Sequence, residues 1–429
     1  MVRGRRCVAH GGGRAMTGHR IVTLSNGHPD LGAGGSEVAA KALADAYRDL
    51  PGVAESQLVA TLDTGRAPTG ALSSHAPGEW LWDTGISDWF TLRPAHAAEN
   101  HATLAAFLAR VQPDIVHLHH YARPGLDVIP LIRRVVPDAH IILTLHEYLG
   151  ICAADGQMVT RGEGRLCTHA APVICARCFP DRDPGQFWLR REWMLRHFAL
   201  VDSFVAPSVF LRERYVAWGL SRDRVAVIGN AIAPPAAARA PRRDPDATRF
   251  AFFGRLTELK GLEVLLRAVA MLPRLRRREI SVEINGTGLD RQPAAFAARI
   301  EALAAPLGAQ GVLDWAGAYD AAGLSARMGR CDWVLVPSTW WENAPMVIHE
   351  AFAHGRPVVC SDIGGMAEMV RDGVDGVYVP VGSARAWADA LDRLGGDHAT
   401  WARLAGGIAP PPAPAEIAAA HLALVAGGR

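Results

Sequence analysis

The sequence predicts an α/β protein with two doubly wound, parallel-sheet domains that face each other across a cleft. Three observations predict this fold class. The chain has 429 residues, which is more than one compact domain usually contains. Short apolar runs alternate with helical stretches in both halves, as parallel strands joined by crossover helices do. A proline- and alanine-rich stretch at 233–241 separates the halves and is typical of a linker.

Strands and helices alternate in both halves. In the first half, strands are expected at 20–25, 57–62, 114–118, 140–145 and 203–206, and helices at 38–50, 97–111 and 186–200. In the second half, strands are expected at 249–253, 280–284, 312–315, 333–336, 357–360 and 376–379, and helices at 261–271, 344–353 and 416–426. We therefore expect a flexible tail at 1–18, a first domain at 19–235 and a second domain at 236–429 that includes the C-terminal helix. Because ligands bind beyond the carboxyl ends of parallel strands, the cleft between the domains is the expected site.

Composition and charge narrow the functional classes. Hydrophobic residues make up 49% of the chain, enough for two cores and too many for a disordered protein. The 45 basic and 43 acidic residues give a net charge of +2, which does not favour nucleic acid as the main partner. No apolar run is long enough to span a bilayer. Glycines at 11–13 stand where a secretory signal would need an apolar core, so we expect a cytoplasmic protein.

Two cations follow the first strand of the second half. Arg255 stands directly after Gly254, and Lys260 stands directly before Gly261. Arginine binds phosphate oxygens as a fork, whereas lysine acts as a compact charge. A second glycine loop, with Gly286 and Gly288, follows the next strand. The pattern predicts a site for a diphosphate, although solvated surface cations would have the same residue types.

Two carboxylates, Glu342 and Glu350, lie eight positions apart after a later strand. The segment between them, Asn343-Ala344-Pro345, opens a helix whose free N–H groups suit an anion. We expect Glu342 to reach sugar hydroxyls and Glu350 to bind a ribose diol. A solvated helix residue is the alternative for Glu350.

The first half has a glycine turn of its own. Gly34 and Gly35 precede Ser36 and Glu37 between the first strand and the first helix. Glycines there let backbone N–H groups approach an anion at a helix end. The alternative is an ordinary turn with Ser36 as N-cap. The spacing of a dinucleotide fingerprint, G-x-G-x-x-G, is absent.

Several histidines end strands of the first half. His146 follows the strand at 140–145, so its side chain is expected in the cleft. With an unperturbed pKa of about 6.5 it would respond to pH. A structural histidine bonded to the backbone is the alternative. His117, His119 and His120 end the preceding strand, and we interpret them as core or cleft lining because no third metal ligand is evident.

Four of the seven cysteines lie in a loop at 150–181, and an odd total argues against a disulfide scaffold. They are Cys152, Cys167, Cys175 and Cys178. One C-x2-C pair with two further thiols fits a structural zinc site. A redox pair or plain buried thiols remain open as alternatives.

The ordered motifs of the second half resemble those of the family 4 glycosyltransferases, which have the two-domain, Rossmann-like GT-B fold. The family pattern is G-R-L, K-G, G-x-G and E-x7-E, found here at 254–256, 260–261, 286–288 and 342–350. Gly364-Gly365 with Glu368 also resembles a family loop near the donor. The usual P-N-G before the linker is G-N-A at 229–231, so that match is partial.

The resemblance implies a retaining transfer of a sugar from a nucleotide-diphospho-sugar to an acceptor hydroxyl. His146 would lie near the transferred sugar, and the loop with Gly34 and Gly35 near the donor phosphate. Arg255, Lys260 and helix-end N–H groups would bind the leaving diphosphate, so no cofactor is required. A glycan or a lipid-linked glycan is the expected acceptor, as in polysaccharide biosynthesis.

A basic aromatic stretch bears on where the protein acts. Phe187, Trp188, Trp193 and Phe198 alternate with arginines at 190, 191 and 196. Such a helix can rest on a membrane surface, here the inner face, as a peripheral contact. A core helix with a solvated face is the alternative.

Three other functions are compatible with the same fold. They are a sugar-nucleotide epimerase, a glycan phosphorylase and a non-catalytic nucleotide-sugar-binding protein.

Overall fold

The computed structural model describes residues 18–32, 34–63, 69–85, 88–94, 96–233 and 248–426. They form two α/β domains, each built on a twisted sheet of mostly parallel strands. The expected tail at 1–18 and linker at 233–241 lie almost wholly outside the described residues.

The first domain contains an eight-stranded sheet in the order β3-β4-β2-β1-β5-β6-β7-β8. All neighbouring pairs are parallel except β3 with β4. The strands are β1 His19–Ser25, β2 Val53–Leu62, β3 Leu72–Ala76, β4 Glu79–Asp83, β5 Ile115–Leu118, β6 His140–Thr144, β7 Ser203–Ala206 and β8 Val225–Val227. The helices are α1 Gly35–Arg48, α2 Ala97–Val111, α3 Val128–Val135, α4 Pro172–Cys178, α5 Pro184–Phe198 and α6 Val209–Trp218.

The second domain contains a six-stranded, all-parallel sheet in the order β11-β10-β9-β12-β13-β14. The strands are β9 Thr248–Phe253, β10 Ile280–Asn285, β11 Leu313–Gly317, β12 Trp333–Val336, β13 Val358–Ser361 and β14 Gly376–Val379. The helices that follow β9 in sequence are α7 Leu262–Met271, α8 Arg276–Glu279, α9 Ala294–Ala309, α10 Ala321–Met328, α11 Met346–Ala353, α12 Gly364–Met369, α13 Ala384–Leu394, α14 His398–Gly406 and α15 Pro414–Ala426.

The central strands are buried because helices cover both faces of each sheet. Every residue of β5 and of β12 is buried, which explains why these strands read as continuous apolar runs rather than as alternating patterns. The doubly wound fold class predicted from the sequence is therefore confirmed. The antiparallel pair β3–β4 does not follow from the sequence pattern, because polar and apolar residues are equally frequent in it and the three central residues of β3 are exposed.

The last helix crosses between the domains. Helix α15 packs against α1, and its Ile417, Ala418 and Val425 join one buried cluster with Leu43 of α1 and Ile21 of β1. The sequence order places this helix at the end of the second domain, whereas its buried side chains pack against the first. An alanine-rich helix has no hydrophobic pattern that predicts which surface it packs against.

Candidate active site

Arg255 faces the first domain across the cleft. It follows β9, and a Cβ placed on Gly34 would lie 3.5 Å from its Nη2 atom. The side chain is exposed, and no described residue forms an ion pair with it. The strand end of one sheet thus presents an unpaired cation to the glycine turn that follows β1 of the other.

Lys260 and Glu342 form an ion pair, with Nζ 2.6 Å from Oε1. The same oxygen accepts hydrogen bonds from Ser338 Oγ at 2.7 Å and from Trp340 Nε1 at 2.9 Å. The Glu342 side chain is only 6% exposed, and that of Lys260 is 29% exposed. The structure therefore brings together two residues that the sequence assigned to one site, although it pairs them with each other.

Gly261 lets Lys260 reach this position. Its φ is +74°, and a Cβ there would overlap the carbonyl oxygen of Pro337, which follows β12. Only glycine combines that conformation with that contact. The loops that follow β9 and β12 therefore touch directly, which brings Lys260 to Glu342.

Glu350 lies on α11, in its second turn, and is half-buried. No described side chain donates a hydrogen bond to its carboxyl group or pairs with it. Burial raises the pKa of Glu350 to about 7. An unpaired carboxyl group with a raised pKa in a cleft is a candidate for a binding role.

The segment between the two carboxylates makes contacts with the first domain. Asn343 Oδ1 accepts a hydrogen bond from Ser208 Oγ at 2.8 Å, and Asn343 Nδ2 lies 3.4 Å from the carbonyl oxygen of Leu145. Asn230 Nδ2 lies 3.4 Å from the carbonyl oxygen of Ala344. Pro345 is the N-cap of α11 rather than a residue of its first turn. The amide of Asn343 thus joins the domains. No described side chain caps the N-terminus of α11, so its first backbone N–H groups can bind a ligand.

Glu368 makes a second contact between the domains. Its two carboxylate oxygens accept hydrogen bonds from the backbone N–H groups of Val209 at 2.7 Å and Phe210 at 2.8 Å, at the start of α6. A carboxylate at a helix N-terminus is favourable because the helix dipole is positive there. Glu368 therefore acts as an interdomain cap, a role that the resemblance to a donor loop did not reveal.

Gly34 and Gly35 form the N-terminus of α1, with Gly34 as the N-cap. A Cβ on Gly35 would lie 3.1 Å from Met346 Cγ at the start of α11, so two helix N-termini meet here. The alternative reading of Ser36 as N-cap is wrong, since its hydroxyl binds Glu37 at 2.9 Å. The carboxylate of Glu37 also approaches Gly34 and was missed as a site residue, although it directly follows the glycine motif.

His146 lies after β6, as expected, with its Nε2 atom 2.9 Å from Nδ1 of His119. Burial, together with the nearby His120 and His421, lowers the pKa of His146 to about 3. The expectation that this residue responds to pH is therefore wrong, because the ring is neutral near pH 7. His117 is bonded to Thr144 Oγ1 at 2.7 Å and lies in the core.

The glycine loops of the second domain hold the strand ends together. Gly254 N–H donates to the carbonyl oxygen of Asn285 at 3.0 Å, and a Cβ on Gly286 would overlap the carbonyl oxygen of Gly254. Gly288 has a φ of +99° and open space around it. Close backbone contact thus requires glycine at 286, a φ of +146° favours it at 254, and Gly288 leaves open space beside its backbone.

The four clustered cysteines line one apolar cavity next to the cleft. All four are half-buried free thiols. Among the described residues, no three of them have Sγ atoms mutually within 4.8 Å, so the thiols surround the cavity without closing on its centre.

Helix α5 is mainly a core helix. Phe187, Arg190 and Phe198 are buried, whereas Trp188 and Leu189 are 54% and 60% exposed. Within the described part of the chain, no helix combines the length and the apolar character needed to cross a membrane.

Two family models match most of the chain. "Glycosyltransferase Family 4" matches residues 33–234, and "Glycosyl transferases group 1" matches residues 247–397. Among curated proteins, a D-inositol 3-phosphate glycosyltransferase from Nocardia farcinica is 34% identical over 306 residues, which are 66% of this chain and 59% of the relative. The protein of the same name from Streptomyces bingchenggensis is 29% identical over 303 residues, which are 69% of this chain and 62% of the relative. The chain thus spans less than two thirds of the length of these relatives.

Solved structures share the fold at low sequence identity. Anabaena HepE in complex with UDP and glucose is 16% identical, with a TM-score of 0.63 over 95% of this chain and 97% of that structure. Sucrose-phosphate synthase from Thermosynechococcus elongatus is 18% identical, with a TM-score of 0.66 over 95% of this chain and 97% of that structure. These likenesses confirm the GT-B fold. The two model matches, which together cover residues 33–234 and 247–397, show that this chain belongs to the family 4 and group 1 glycosyltransferases.

Proposed function

We propose that this protein transfers a sugar from a nucleotide-diphospho-sugar to an acceptor hydroxyl, with retention of configuration at the sugar. One observation carries the proposal. Arg255 and Lys260 lie after the carboxyl end of β9, and the N-termini of α1 and α11 lie beside them. Two cations and two helix N-termini therefore converge on one part of the cleft. Such a concentration of positive potential suits a diphosphate.

In the proposed reaction, the bond between the sugar C1 and the diphosphate oxygen breaks, and its electron pair stays on that oxygen. The acceptor hydroxyl oxygen forms the new bond to C1 on the same face, and its proton passes to the leaving oxygen. Arg255, Lys260 and the N–H groups of α11 stabilise the negative charge that develops there. No general base is needed, and no resident cofactor takes part.

The other site residues orient the donor. Glu350, on α11, would bind the ribose diol, and Glu342 would bind sugar hydroxyls once a diphosphate draws Lys260 away. A neutral His146 would donate or accept a hydrogen bond at the transferred sugar. Gly34, Gly35, Gly286 and Gly288 would leave space for the phosphates. Each hydrogen bond to a charged group contributes about 1.5–3 kcal/mol, so alignment and exclusion of water must supply much of the rate.

UDP is the first nucleotide to test, because the Anabaena structures contain UDP and UDP-glucose. A polyol, a glycan or a lipid-linked glycan fits the acceptor side.

A contact with an anionic membrane surface is supported by exposed apolar and basic side chains on α4 and α5. These are Trp188, Leu189 and Val173, the last with 61% exposure, and the arginines at 177 and 196. In the same proposal, a structural zinc at the four cysteines takes no part in bond breaking.

Incubation with a panel of UDP-, GDP- and ADP-sugars tests the proposal. Nucleotide release that depends on an added acceptor, with a product of retained configuration by NMR, is the expected result. Release of free sugar without an acceptor would indicate an epimerase or hydrolase instead. Binding without turnover for every acceptor class would indicate a sensor. An absorbing pyridoxal group would indicate a phosphorylase.

A further inference from the structure

The loop at 150–181 has the build of a small metal-binding module. Met158 and Cys167 are joined by a backbone hydrogen bond of 2.8 Å, and Val159 pairs with Leu166, which makes a short hairpin. Its turn contains Gly162 and Gly164, both with positive φ. The helix α4 follows directly. The module thus consists of this hairpin and α4, which together enclose the cavity lined by the four cysteines.

The four thiols come from both parts of this module. Cys152 and Cys167 lie before and at the end of the hairpin, while Cys175 and Cys178 lie three residues apart on one face of α4. Four cysteines from two elements around one space match the ligand set of a structural zinc site. Each cysteine side chain has further staggered rotamers, through which its thiol can turn towards the centre of the cavity.

A buried cation beside the cluster supplies the second observation. Arg190 is 4% exposed and donates hydrogen bonds to the carbonyl oxygens of Gly150, at 2.7 Å, and of Leu149, shortly before Cys152. Its Nε atom also donates a hydrogen bond to the carbonyl oxygen of Phe90 at 2.7 Å; among the described residues no carboxylate forms an ion pair with it, although Glu147 and the Cys152 thiol lie near it. A buried unpaired charge is unfavourable. One Zn²⁺ with four thiolates carries two net negative charges, which would compensate this guanidinium.

The module also touches the donor site. Trp341 Nε1 donates a hydrogen bond of 2.9 Å to the carbonyl oxygen of Cys167, across the domain boundary. Arg214 lies over the Trp341 ring at 5.0 Å and binds the carbonyl oxygen of Thr168. Trp341 directly precedes Glu342, the partner of Lys260. A cysteine of the cluster thus lies one hydrogen bond from the loop that carries the site carboxylate.

We propose that Cys152, Cys167, Cys175 and Cys178 bind one Zn²⁺ as thiolates, and that this ion positions Trp341, and with it Glu342, through the Cys167 carbonyl. Trp341 is a positioning residue in this scheme. The metal half of the inference stands alone, whereas the positioning half rests on the proposed donor site.

Metal content tests the first half. Inductively coupled plasma mass spectrometry of the full chain, purified without chelator, should find one zinc per chain. The double variant Cys175→Ser/Cys178→Ser should contain almost none. Cys331→Ala, a buried thiol outside the cluster, should keep the zinc. Iron with acid-labile sulfide, or metal-free protein with disulfides among the four cysteines, would overturn the site.

UDP affinity by calorimetry tests the second half. Trp341→Phe keeps an aromatic ring but loses the hydrogen bond from Nε1, so it should keep the zinc while binding UDP about twofold to tenfold more weakly. Chelated wild-type protein should show a similar loss, reversed by added zinc. Unchanged UDP affinity in both Trp341→Phe and the chelated wild-type protein would overturn the positioning role. It would not contradict the metal site or the donor site. Failure of the zinc-loaded wild type to bind UDP, GDP or ADP would count against the proposed function, whereas zinc content would still be measurable.

Discussion

The Nζ atom of Lys260 lies 2.6 Å from Oε1 of Glu342, at the base of the cleft between the domains. Ser338 and Trp340 donate to the same oxygen, so Glu342 is held by three donors. In the absence of a ligand, Glu342 therefore neutralises one of the two cations proposed for the diphosphate. Arg255 has no such partner among the described residues. The two cations should consequently respond differently to substitution.

Replacement of either cation by alanine is expected to abolish transfer, but only one replacement should affect stability. Lys260→Ala leaves the nearly buried Glu342 without its cation, which should lower the free energy of unfolding by about 1–3 kcal/mol. Arg255→Ala removes no described contact and should leave it unchanged. Chemical denaturation and transfer assays measure both effects. The double variant Lys260→Ala/Glu342→Gln should regain stability but not activity, and recovered turnover in it would contradict the role of Lys260.

Glu350→Gln is expected to weaken nucleotide binding and to remove its pH dependence. An ionised carboxylate accepts two hydrogen bonds from a ribose diol, so affinity in the wild type should rise as the pH rises through about 7, the raised pKa of Glu350. Glutamine cannot ionise, so its curve should be flat over this range. Calorimetric titrations with UDP from pH 6 to pH 8 make the measurement. Identical curves for both proteins would remove Glu350 from the nucleotide site.

The same raised pKa predicts an effect on stability. Because the folded carboxyl group keeps its proton to a higher pH than the unfolded one, Glu350 destabilises the fold progressively as the pH rises from its ordinary pKa towards 7. Denaturation of wild type and Glu350→Gln at pH 5 and pH 8 isolates this contribution. Burial also raises the pKa of Glu147 to about 7, but that group is present in both proteins and cancels in the difference.

His146→Ala is expected to reduce transfer without altering the shape of the pH profile between pH 5 and pH 8. The pKa of His146 is lowered to about 3, so the ring is already neutral throughout that range. Its contribution should be a hydrogen bond, about 0.5–1.5 kcal/mol, or roughly twofold to tenfold in kcat/KM. A profile that loses an ionisation near pH 6.5 in the variant would show that the imidazole titrates after all.

Glu368→Ala is expected to loosen the two domains. The substitution leaves the N–H groups of Val209 and Phe210 without their carboxylate, and loss of a helix cap typically lowers stability by about 0.5–2 kcal/mol. Small-angle scattering of the ligand-free protein should show a larger radius of gyration. Glu213→Ala is the matched control, since Glu213 lies on α6, the helix that Glu368 caps, and its only described ion-pair partners are the arginines at 212 and 222. Equal radii for both variants would exclude an interdomain role for Glu368.

The sequence predicts the strands that matter most for the site, because buried parallel strands are short apolar runs between polar or turn-forming residues. The strands at 203–206, 333–336 and 376–379 were predicted with the residue limits that the structure has. The motifs also placed Lys260 and Glu342 in one site. Contacts between the domains could not be predicted in this way. The amide of Asn343, the carboxylate of Glu368 and the packing of α15 depend on which distant surfaces meet, and no local pattern encodes that.

Gly261→Ala is expected to lower stability more than Gly382→Ala, and it should also reduce transfer. Both glycines are in the left-handed region, with φ of +74° and +71°, so an alanine at either position carries a similar strain of about 1–2 kcal/mol. A Cβ at Gly382 meets no atom within 4 Å, whereas one at Gly261 would overlap the Pro337 carbonyl oxygen and push the loops after β9 and β12 apart. Because those loops carry Lys260 and Glu342, the ion pair should separate. Thermal denaturation and transfer assays of both variants make the comparison, and equal losses of stability would mean that the close contact at Pro337 does not constrain the site.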